Sequence, residues 1–134
     1  MIVKAVTSSF TGAPREVLDS GWHIDCDPHL TVGNQYDVKA ISIFHKVIYF
    51  QIVDDTNGIT WLPSFLFVVS DGRLAPDWCC NLLDPGHLVI GPDFICNNAE
   101  AYRRMVELEP DQVAMFYERL SRLPKGVNGS TDPE

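Results

Sequence analysis

Apolar and polar positions alternate most clearly over residues 35–44. Tyr36, Val38, Ala40 and Ser42 fall on one side, and Asp37, Lys39 and Ile41 on the other. A period of two predicts a half-buried strand. His45-Lys46 reads as a tight turn into a second strand, VIYFQIV (47–53), which is rich in β-branched and aromatic residues. Asp54-Asp55-Thr56-Asn57-Gly58 then predicts a hairpin, because Asn-Gly supplies the positive φ values that a tight turn needs. A third strand starts at Ile59 and runs through Thr60-Trp61. Pro63 has no N–H for a ladder, so it breaks this strand or confines it to an edge. Further strands are expected at 2–6 (IVKAV), 22–25, 65–70 (FLFVVS) and 87–90 (HLVI).

From Asn97 the period changes. Ala99, Tyr102, Met105 and Val106 share one helical face, with Asn97 or Asn98 as N-cap. Pro110 opens a second helical pattern whose stripe is Val113, Phe116, Tyr117, Leu120 and Leu123. The expected fold is α+β. A small antiparallel sheet, or an SH3-like partly open barrel of about five strands, is followed by two short C-terminal helices. One domain is expected over 1–124, mainly β over 1–93 and helical over 97–123, with a flexible tail at 125–134.

The chain has 134 residues, enough for one core. Its 18 acidic and 10 basic residues give a formal net charge of −8, which argues against nucleic-acid binding through a broad basic face. The excess is local. Residues 19–93 hold ten aspartates against Lys39, Lys46 and Arg73, and no glutamate. Aspartate favours turn tips, so these are either solvated turns or turns that converge into one negative face. The first residues carry only a short apolar stretch, and no window has the length of a spanning helix, so a cytoplasmic location is expected.

Candidate chemistry is sparse. His23, Cys26 and His29, with Cys79, Cys80, His87 and Cys96, are metal-competent types, but no pair of Cys-x-x-Cys units is present. No metal or cofactor is therefore expected, and the four cysteines read as free thiols in a reducing compartment. A thiol with His87 or His45 would make a nucleophile–base pair only if the fold brought them together. Adjacent acids such as Asp54-Asp55 diverge at a hairpin tip and suit no acid–base chemistry. Between 54 and 78, aromatics and aspartates interleave: Asp54, Asp55, Trp61, Phe65, Phe67, Asp71, Asp77 and Trp78. Aromatic anchors with a charged rim are the composition of protein interfaces. Phe65 and Phe67 are expected in the core, and Trp61 and Trp78 partly exposed beside turns.

The stretches LTVGNQYDVKAI, IYFQIVDD and SFLFVVSDGRLAPDW, within residues 30–78, resemble small acidic bacterial toxin-immunity proteins. That resemblance implies tight binding of one cognate toxin, without catalysis. The expected partner is a basic toxin domain, such as a nuclease, and not a nucleic acid or a membrane. The expected partner-binding residues are Asp54, Asp55, Trp61, Asp71, Asp77 and Trp78. Two other readings stand beside it: an SH3-like adaptor that binds a peptide or protein, and a small thiol-dependent enzyme.

Overall fold

The computed structural model describes residues 1–84 and 86–96. The helices expected over 97–123 and the tail at 125–134 lie outside the described residues. The elements are β1 (Ile2–Ala5), α1 (Arg15–Asp19), β2 (Gln35–Asp37), β3 (Ala40–Phe44), β4 (Val47–Val53), β5 (Ile59–Pro63), a 3-10 turn (Ser64–Leu66), β6 (Phe67–Asp71), β7 (Cys79–Asp84), β8 (His87–Gly91) and α2 (Asp93–Cys96). All strand pairs are antiparallel. They form a three-stranded sheet, β2-β1-β6, and a five-stranded sheet, β5-β4-β3-β8-β7. The described residues thus hold mostly antiparallel sheets with two short helices. There are two sheets where one of about five strands was expected, and they do not close into a barrel.

The second sheet arises from a break inside the clearest strand of the sequence. Tyr36 pairs with Val3 in the small sheet, whereas Ala40 pairs with Gln51 in the large one. At the corner, the Val38 N–H donates to the Met1 carbonyl (2.9 Å) and the Lys39 N–H to the Gln51 carbonyl (2.7 Å). Consecutive residues therefore satisfy their donors on different sheets, and the chain changes layer without orphaning a backbone group. The expected alternation slips at the corner: Tyr36 and Val38 face the larger core, but beyond Lys39 it is Ile41 that joins them, while Ala40 turns to the smaller core on the other face and Ser42 is buried on Ala40's side. The stretch 65–70 divides likewise, Leu66 ending the 3-10 turn and Phe67 starting β6. Residues 22–25 are not a strand; Trp22 stacks on Phe10, with ring centroids 5.0 Å apart. Both tight turns form, with positive φ at His45, Lys46 and Asn57, but Gly58 does not take the positive φ expected of it. Pro63 lies on β5, an edge strand.

Two cores result. The larger joins the sheets: Val3, Ala5, Tyr36 and Phe67 pack with Ile41, Phe50, Ile52 and Leu62. Phe67 meets Phe50 edge-on at 5.9 Å and Tyr36 at 6.3 Å. The smaller core lies on the other face of the large sheet, where Ala40, Ile59 and Val89 meet Ile95 and Cys96 of α2. Gly91 allows the close approach there, because a Cβ on it would sit 2.9 Å from the Ala40 Cβ.

The fold also corrects the cysteine expectation. Cys79 and Cys96 are joined in a disulfide, while Cys26 and Cys80 are free. α2 follows β8 directly and returns over the sheet, so Cys96 reaches the strand beside Gly91, and Gly91 pairs with Cys79. A separation of 17 residues hid this pairing. Thiol titration of the oxidised, denatured chain should count two reactive cysteines, and four after reduction. Cys96→Ser should lower unfolding stability by up to about 3 kcal/mol, the loop-closure entropy of a loop of that size; a denaturant titration checks it.

Candidate functional site

The β4–β5 turn is organised by its two aspartates, which have different roles. Asp54 Oδ1 accepts from the Thr56 N–H (2.9 Å), the Thr56 hydroxyl (2.6 Å) and the Gly58 N–H (3.0 Å). Asp54 therefore shapes the turn, as a short acid at a tip does. Asp55 instead reaches outside it. Its carboxylate accepts from the Thr31 hydroxyl (2.6 Å) and the Tyr36 hydroxyl (2.7 Å), and its N–H donates to the His29 carbonyl (3.0 Å). The Tyr36 oxygen in turn accepts from the Thr31 N–H (2.9 Å). Hydrogen bonds from Thr31 and then Tyr36 hold the Asp55 carboxyl below its ordinary range. Burial, above all, raises the Tyr36 hydroxyl.

This staple brings a distant acidic loop to the turn. Asp27 accepts from the His29 N–H (2.8 Å), and its other oxygen lies 3.5 Å from His29 Nδ1. His29 itself takes a positive φ of 57°. Asp27, Asp54 and Asp55 thus share one region, although more than 25 residues separate Asp27 from the other two. Asp25 and Asp27 are exposed beside it. Among the described residues, no lysine or arginine is paired with Asp27, Asp54 or Asp55. Thr31 and Tyr36 as partners of Asp55 were not foreseen from the sequence.

The other nominated residues do not join this group. Asp71 lies at the end of β6, where Arg73 grips it through both Nε (3.0 Å) and Nη2 (2.5 Å). That guanidinium holds the Asp71 carboxyl at about 2. Asp77 is exposed ahead of β7. Trp61 and Trp78 are both half-buried, but Trp61 packs on the smaller core and Trp78 on the larger. They therefore flank opposite faces of the large sheet. Phe67 is buried and Phe65 half-buried against the larger core.

The metal-competent residues are dispersed. Cys26 Sγ accepts from the His23 N–H at 3.4 Å within its own turn, and no three His, Cys, Asp or Glu side chains gather as a ligand set among the described residues. A pairing not anticipated is Ser42 Oγ with His87 Nε2 at 3.3 Å, with the Phe44 ring 4.7 Å from the imidazole. Such a pair can activate a nucleophile. Here Ser42 is 2% exposed, between its cross-strand partners Tyr49 and Val89, so a substrate has no approach to its oxygen. No helix among the described residues is long and apolar enough to cross a membrane.

The Asp55 staple has a pH signature. A carboxyl whose folded pKa is lowered stabilises the fold above its unfolded pKa, and that contribution fades as pH falls through the folded value. Asp55→Asn should cost about 1 kcal/mol at pH 7, discounted for solvent exposure, and the deficit should shrink as pH drops below about 4. Urea titrations of both proteins across pH 2.5–7 check this. Comparison with known proteins finds no family model, no curated protein and no solved structure that matches this chain.

Proposed function

We propose that the chain is a non-catalytic α+β binding protein that neutralises a basic protein partner by direct association, as toxin-immunity proteins do. The partner fitting this reading best is a cationic toxin domain, for instance a nuclease. One observation carries it: the 25–29 loop is bonded to the β4–β5 turn, so aspartates far apart in sequence lie together with no lysine or arginine paired to them among the described residues. Clustered like charge costs stability through self-repulsion, and a basic surface relieves that cost while its approach is accelerated. The formal net charge of −8 acts in the same direction at longer range.

Asp54, Asp55 and Asp71 are poor sites for a charge-reversal test, because each already serves a bond within the molecule. Asp25 and Asp77 are exposed and suit it. The test is co-expression with the product of the adjacent gene, followed by stopped-flow measurement of association. A stoichiometric complex should form. Its association rate should fall about tenfold as salt rises well above physiological strength, where the screening length drops below about 8 Å. Asp25→Lys with Asp77→Lys should slow association at low salt by a similar factor. A rate indifferent to salt and to both substitutions removes the electrostatic reading.

A further inference from the structure

The apolar side chains exposed on the large sheet are arranged in a line. Leu82 of β7 pairs with Leu88 of β8, Leu88 with Ile43 of β3, and Ile43 with Ile48 of β4. Directly paired residues project to the same side of a sheet, so these four make one row across four strands. The row lies on the face whose next positions, Ile41 and Phe50, are sealed in the larger core. None of the four belongs to that core. Leu82 is 69% exposed and Ile48 43%, while Ile43 and Leu88 are half-buried. On β7, Cys80 lies two positions before Leu82 and is exposed, so strand alternation gives it the same side; Trp78, just before the strand, is half-buried against the larger core on that face. Contiguous apolar surface of this kind marks a contact site.

Charge identifies the occupant. β7 is an edge strand, with Asp77 just before it and Asp84 at its end. A second copy, itself of formal net charge −8 and with Asp77 exposed at the same place, would set like charge against like charge, which is destabilising. A partner with an apolar centre and a basic rim avoids that repulsion. We infer that Ile43, Ile48, Leu82 and Leu88, extended by Trp78 and Cys80, form the apolar centre of the surface that docks the basic protein partner. This rests on the binding reading above and deepens it. The acidic loop and turn govern the rate of encounter, whereas the apolar row holds the complex together, as desolvated interface centres do.

The test uses the full chain and the product of the adjacent gene. Leu82→Ser, at an exposed position, should weaken the complex at least tenfold through faster dissociation and leave the association rate unchanged. Without any mutation, iodoacetamide should alkylate Cys80 at least tenfold more slowly in the complex than in the free chain. If a complex forms while Leu82→Ser binds normally and Cys80 stays reactive, this surface is wrong and the binding reading survives. If no complex forms, both fall. A dimer of the chain alone that Leu82→Ser disperses overturns the proposal in favour of self-association.

Discussion

Burial of Phe67 against Phe50 and Tyr36 joins two sheets into one body, and their unequal size shapes everything else. A three-stranded sheet cannot cover a five-stranded one. Where it does cover, side chains such as Ile52 and Leu66 are fully sealed, each contributing about 1.5–3 kcal/mol. Beyond that overlap the same face continues with isoleucine and leucine, which stay partly in water. On the opposite face the sheet needs a separate cover. Part of it is α2, tied to β7 by the Cys79–Cys96 bond and fitted over Ala40 through the missing side chain of Gly91.

Aspartate recurs for a related reason. The chain turns often, and a short carboxylate can accept backbone N–H groups that a turn would otherwise leave bare. Asp27, Asp54 and Asp71 each take such a bond two residues ahead. Once so employed, a carboxylate remains charged and close to the surface. Asp71 is answered by Arg73, whereas Asp54 and Asp55 are answered by hydroxyls and amides. A protein built this way carries unbalanced negative charge as a consequence of its turns. On the proposed reading, that same charge is what a cationic partner would meet, without separate machinery.

The candidate surface was legible only in part. Residue types named the turns, and they named Trp61 and Trp78 as partly exposed. They could not show that the two tryptophans flank opposite faces, because that depends on which strand of which sheet each one borders. Nor could they distinguish Asp54, whose bonds are all local, from Asp55, whose partners Thr31 and Tyr36 lie some twenty residues back. The row from Leu82 to Ile48 was invisible for the same reason: its members sit on four strands, and only register aligns them.

Local rules sufficed for the alternation of Tyr36 and Val38, the turn at Asn57, the His45-Lys46 turn and the edge position of Pro63. Each depends on neighbours within a few residues, through backbone sterics or a two-residue period. The break at Val38-Lys39 does not, because both donors find their acceptors on strands supplied by other parts of the chain. β7 had no alternating pattern of its own, and it exists because β8 offers it a ladder. The disulfide and the bond from the Asp55 N–H to the His29 carbonyl belong to the same class. In each, a long-range contact had first to repay the entropy of closing the chain between its ends, and the sequence of either end alone carries no record of it.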